Sequence, residues 1–106
     1  MKGLLLDVFE GLRAFLTALG DDVQEKRLSL YLAFKRLKNF VCIEIRKDKL
    51  MLYLKLDPGS ITLEAGFSRD VRSIGHWGTG DLELTIRNDL DFEKAKPLLI
   101  RSYGNG

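Results

Sequence analysis

The chain has 106 residues, 45% hydrophobic and 30% charged, which suits one globular domain over 1–106 and excludes a disordered tail. One cysteine rules out an internal disulfide, and one histidine rules out a Cys/His zinc cage. The apolar run Leu4–Leu6 breaks at Asp7, so no membrane span, signal peptide or membrane partner is expected, and a cytoplasmic address follows.

The net charge of +2 is unevenly spread. Between Lys26 and Lys55 stand nine cations and two carboxylates, Glu44 and Asp48; the remainder holds eight cations and thirteen acids. A basic block inside an acidic domain creates a polarised field suited to a polyanion. The same lysines also serve to keep a sheet soluble and to blunt its edges.

From Leu4 to Leu19 the apolar residues recur at three- and four-residue steps, which predicts an amphipathic helix closed by Gly20 in a left-handed cap. Gly11 inside that helix points to a close packing contact. The period then changes to two. Leu28–Phe34, Val41–Ile45 and Leu50–Leu56 alternate apolar and polar residues across short links, which predicts an antiparallel meander ended by Asp57-Pro58-Gly59. Ile61 and Leu63 suggest an extension of a strand, and Ser68 suggests the cap of a short helix through Arg72. Gly75, Gly78 and Gly80 mark a tight loop, and Leu82–Ile86 alternates as a further strand. Asp89 or Asp91 is expected to cap a last helix that Pro97 kinks or shortens. The fold class is α+β: an N-terminal and a C-terminal helix packed on a mainly antiparallel sheet of about four strands.

Three constellations bear on chemistry. Alternation turns Tyr31, Lys35, Arg46, Tyr53 and Lys55 away from the leucines, with Lys49 beside them. Tyrosines among cations stack bases while Lys and Arg neutralise phosphates. That face serves equally to dock a partner subunit or to lie under the segment after Gly59. The second is the glycine loop Gly75-His76-Trp77-Gly78-Thr79-Gly80-Asp81. Its spacing matches neither the P-loop nor the dinucleotide fingerprint. His76 beside Asp70 or Asp81 has the chemistry of a general base, but His76 and Trp77 in a glycine turn read rather as packing anchors. The third, Glu44-Ile45-Arg46, has half the pattern of a metal-dependent nuclease, with Asp22 the only nearby upstream acid and Arg46 where lysine is usual. No Gly-x-Ser-x-Gly elbow supports a hydrolase, and Cys42 in an apolar strand reads as an inert small hydrophobe. No catalytic residue, metal site or cofactor is expected.

The stretches LYLAFKRLKNFVCIEI, KLMLYLKL, GFSRDVRSIGHWGTGDLELTI and EKAKPLLIRSY, in that order, resemble a domain-of-unknown-function family often labelled "predicted transport protein". The resemblance is most specific at Arg69-Asp70-Val71, at Gly75-His76-Trp77-Gly78 and at Gly80-Asp81. It implies an accessory domain, commonly the C-terminal part of restriction-endonuclease-like or phage-defence proteins, and carries over no catalytic residues. The transport label has no physical support in a chain without a spanning or membrane-lying segment. Together these readings anticipate a non-enzymatic module that binds nucleic acid through a basic, tyrosine-bearing sheet face. The alternatives are a module for a protein partner or homodimer and, less favoured, a metal-dependent nuclease or hydrolase.

Overall fold

The computed structural model describes residues 3–76 and 78–106. The helix α1 (Gly3–Thr17) turns Leu5, Val8, Phe9, Leu12 and Leu16 inward, the stripe that its apolar spacing dictates. Among the described residues six strands follow: β1 (Gln24–Arg27), β2 (Leu32–Lys35), β3 (Asn39–Ile45), β4 (Leu50–Leu54), β5 (Ser68–Asp70) and β6 (Leu82–Ile86). The helix α2 (Asp89–Gly104) closes the chain. All strands join one antiparallel sheet in the order β1-β2-β3-β4-β6-β5. Both helices lie on one face, so the architecture is the expected α+β arrangement with a sheet of six strands instead of about four.

The inner face carries Leu32, Phe34, Val41, Ile43, Leu50, Leu52, Leu54, Leu82, Leu84 and Ile86, which share one core with the stripes of α1 and α2. Phe15 of α1 meets Phe92 of α2 edge to face at 5.9 Å, and Phe92 also lies 3.4 Å from where a Cβ on Gly11 would be. The anticipated close contact at Gly11 is therefore with the second helix. The far end of α2 is stitched to the sheet. The Ser102 hydroxyl donates to the Phe40 carbonyl and accepts from the Lys55 amide at 2.8 Å, and Asn105 Nδ2 donates to the Lys55 carbonyl at 2.8 Å.

Several local expectations are corrected. Leu28–Phe34 is not one strand: the Leu28 amide donates to the Tyr31 carbonyl at 2.9 Å, turning the chain so that β1 pairs back on β2. Ser68–Asp70 is strand, not a capped helix, because β6 supplies its ladder and the Ser68 hydroxyl instead accepts from the Glu64 amide at 2.7 Å. Ile61 and Leu63 lie outside any strand, after a 3₁₀ turn at Pro58–Ser60. Gly20 is not left-handed. It is required for space, since a Cβ there would run into the Tyr103 hydroxyl and lie 2.7 Å from Asp22. Asn88 caps α2 by accepting from the Asp91 amide at 2.9 Å, and the helix runs on through exposed Pro97 to Gly104.

Candidate functional site

The outer sheet face holds the functional candidates. Register aligns one residue from each strand across it: Lys26, Ala33, Cys42, Tyr53, Glu83 and Arg69. Its centre is not open. Ala33, Cys42, Met51 and Tyr53 form a second small core with Val71, flanked by Leu28 and Tyr31. The glycine loop after β5 lies over this row. Gly78, at φ +83°, passes so close that a Cβ would stand 2.7 Å from Cys42 Cβ and 3.3 Å from the Tyr31 ring. Gly80, at φ +140°, would bring a Cβ to 2.8 Å from the Leu54 amide nitrogen. Glycine is therefore required at both positions by backbone angle and by space. The Thr79 amide donates to Cys42 Sγ at 3.4 Å. The His76 ring lies flat on Tyr53, with centroids 4.1 Å apart and planes at 5°, and its Nε2 donates to the Gly80 carbonyl at 3.0 Å. The anchor reading of His76 fits this geometry; Trp77 lies outside the described residues.

This covering corrects the expected stacking platform. Tyr53 is 2% exposed beneath His76, so it has no face to offer a base. Tyr31 is half-buried against Gly78. The remaining predicted residues fall into two groups at opposite ends of the sheet. Lys35, opposite Asn39, and Lys55 lie at the end where β2 turns into β3. Arg46 and Lys49 close the turn at the other end, the Arg46 amide donating to the Lys49 carbonyl at 3.0 Å. Lys49 and Lys55 are six residues apart along an extended strand, roughly 20 Å. The six residues do not form one continuous surface.

A groove of about 820 Å³ occupies the first end, lined by Lys38, Asn39, Lys55, Arg72, Thr79, Gly80, Asp81 and Asn105 together with Leu56 and Asp57. Arg72 is held by Asp70, its Nη2 2.7 Å from Oδ2, and by Asp57 at 3.5 Å. The Arg72 guanidinium and its amide hold the Asp70 carboxyl below its ordinary range. Nearby Arg36 is fully engaged: it donates to Asp22 at 2.8 Å and lies 4.3 Å over the Tyr103 ring, whose hydroxyl also donates to Asp22. Asp22 is thus tied into this structural cluster, and not beside Glu44 as a nuclease acid. Among the described residues no group of three or more His, Cys, Asp and Glu is placed to hold a metal. No helix among them is long and apolar enough to cross a membrane.

A polar pocket of about 210 Å³ occupies the other end, lined by Glu44, Arg46, Tyr53, Arg69, His76 and Glu83 with Ile74 and Gly75. Arg69 grips Glu83 with two bonds, Nε to Oε1 at 3.1 Å and Nη2 to Oε2 at 3.0 Å. Arg46 Nε donates to Glu44 Oε1 at 2.9 Å. Burial first, then the charges of Glu83 and Glu44 and a hydrogen bond to Glu83, push the Tyr53 phenol up to about 12. Glu83 was not anticipated from the sequence, where it reads as a solvent-facing strand residue; only the register with Tyr53 and Arg69 brings it here.

The profile of the family described as "Domain of unknown function (DUF5655)" matches residues 2–106. The chain belongs to that family. It is also similar to an uncharacterized protein of Haemophilus influenzae, with 29% identity over 93 residues, 88% of this chain and 31% of the relative. The chain therefore spans about a third of that relative's length. No solved structure matches it.

Proposed function

We infer that this domain is a non-enzymatic accessory module that binds single-stranded nucleic acid through the basic end of its sheet. One observation carries the reading. Seven of the nine cations of the basic block, Lys26, Arg27, Lys35, Lys38, Lys47, Lys49 and Lys55, have no carboxylate within ion-pairing distance among the described residues, while Arg36 and Arg46 are paired. Outside the block Arg13, Arg69, Arg72, Lys94 and Lys96 are paired with carboxylates, whereas Arg87 and Arg101 bond to the Gly66 carbonyl and the Ser60 hydroxyl. Of the seven, Lys38 and Lys55 line the groove; unpaired cations there attract a phosphate backbone without regard to sequence, and a groove tracks a flexible strand. Neither tyrosine lines this groove. The relative's greater length suits a module working beside other domains, and the reading includes a cytoplasmic location and no transport role.

The alternative, a module that joins a protein partner or a second copy through an exposed edge strand, is less well supported. Edge strand β1 has all four residues exposed and charged or amide-bearing, a composition that discourages strand addition. The test is binding of an oligo-dT strand across a salt series. Log affinity should fall linearly with log salt, at roughly 0.7 per phosphate neutralised. Lys38→Ala and Lys55→Ala should each lower that slope, and Lys94→Ala should not. Absence of binding at low salt, or an equal effect of Lys94→Ala, would end this reading in favour of a protein partner.

A further inference from the structure

The groove at the basic end of the sheet holds more than cations, and its charged groups divide into those already engaged and those left open. Arg72 is engaged by Asp70 and Asp57, and Asp57 also accepts from the Gly59 amide at 2.9 Å. Three charges remain open: the ammonium groups of Lys38 and Lys55, and the carboxylate of Asp81. Asp81 feels the charge of Arg72, but its side chain makes no hydrogen bond or ion pair among the described residues. The backbone fixes where that carboxylate stands. The Asp81 amide donates to the Leu54 carbonyl at 3.1 Å, and its carbonyl accepts from the Val71 amide at 3.0 Å. Leu54 precedes Lys55, whose own amide donates to Ser102 Oγ at 2.8 Å. An open acid and an open cation therefore leave neighbouring, pinned stretches of backbone without pairing.

A lone carboxylate is out of place in a groove that only neutralises phosphates. It repels a DNA backbone, because deoxyribose and phosphodiester carry no hydrogen-bond donor to offset the repulsion. RNA carries one. The 2′-hydroxyl sits on the carbon next to the one that bears the 3′-phosphate, so a donor accompanies each phosphate along the strand. A hydroxyl donating to a carboxylate makes a charge-assisted bond, the stronger kind. Donors on the bases change from one nucleotide to the next, whereas a cation beside an acid matches the repeating sugar–phosphate unit.

We propose that the strand this groove prefers is RNA, with Lys55 on a phosphate and Asp81 accepting a hydrogen bond from the adjacent 2′-hydroxyl. This choice of sugar rests on the nucleic-acid reading above. The lysines attract either kind of strand, and Asp81 supplies the discrimination between them.

The test uses the whole chain and three fluorescent oligo-uridine strands of one length, with ribose, deoxyribose or 2′-O-methylribose, followed by anisotropy at low salt. The ribose strand should bind about tenfold more tightly than the deoxyribose strand, the worth of one hydrogen bond to a charged group. The 2′-O-methyl strand keeps an RNA-like sugar but has no donor, so it should bind as the deoxyribose strand does. Asp81→Ala should bring the three affinities within about twofold of one another while leaving the salt slope unchanged. Lys55→Ala should weaken all three strands and lower the salt slope, yet keep the preference for ribose. Should Asp81→Ala lose stability, the 2′-O-methyl strand makes the same test on the unaltered protein. Equal binding of ribose and deoxyribose strands would overturn the proposal and leave the nucleic-acid reading intact. Ribose-like binding of the 2′-O-methyl strand, or a full preference in Asp81→Ala, would also overturn it. Binding of none of the three would remove the strand reading and this proposal with it.

Discussion

Gly80→Ala is the sharpest perturbation of the arrangement that covers the sheet. Gly80 sits at φ +140°, where an L side chain is strained, and its Cβ would lie 2.8 Å from both Leu54 N and Tyr53 C and 2.9 Å from Leu54 O. Those neighbours are backbone atoms of a central strand, so they cannot swing aside as a flexible side chain would. Backbone strain of about 1–3 kcal/mol and overpacking of about 1–3 kcal/mol together give about 2–6 kcal/mol. The loss is capped by the cost of detaching the loop, because the loop lifts off once that is cheaper than bearing the clash. Gly75→Ala is the matched control: its Cβ would meet nothing within 4 Å and its backbone angle is unstrained. Urea melts should show a clear loss for Gly80→Ala and at most a few tenths of a kcal/mol either way for Gly75→Ala. If the loss is through loop detachment, Cys42 also becomes reactive to a thiol reagent. Equal stability of the two variants would refute the idea that the loop is seated on the sheet.

Leu52→Ala, on the helix-facing side at 0% exposure, should cost about 2–5 kcal/mol in denaturant melts, and Tyr53→Ala on the opposite side should cost a similar amount because that side is covered too. Burial pushes the Cys42 thiol up and Gly78 and Thr79 cover it, so the folded protein should resist alkylation at neutral pH and react once unfolded in urea. The folded state holds the Tyr53 proton up to about pH 12, against an ordinary value of 10.0, so its contribution is full below pH 10 and lost as pH rises towards 12. That loss, at most about 2–3 kcal/mol, should vanish from the alkaline stability profile of Tyr53→Phe.

What the sequence disclosed followed its periodicities. α1, β3, β4 and β6 are legible because one face of each is buried and the apolar spacing records it. β1 is not, because Gln24, Glu25, Lys26 and Arg27 are all exposed and carry no alternation. In sequence β5 reads as a helix start because a serine before a charged run looks like a cap; only β6, a partner distant in sequence, makes it a strand. The basic block was legible as composition, yet not which of its charges share a surface, since that depends on the two ends of the sheet. The covering of Tyr53 had one available signal. Ala33, Cys42 and Met51 alternate on the same side, and small or apolar residues there mark a face meant to be covered. Glu44 and Arg46 could be placed together from their spacing, whereas Glu83 and Arg69 join them only through the register of β6 with β4 and β5.

The central claim is that a nucleic-acid strand lies against the basic end of the outer sheet face. Amide chemical shifts of the uniformly labelled protein, followed during titration with an oligo-dT strand at low salt, test it most directly. The account predicts shifts concentrated at Lys35, Lys38, Lys55 and Thr79–Asp81, all reversed by added salt. Shifts confined to the exposed side of α1 or α2, or none anywhere, would contradict it.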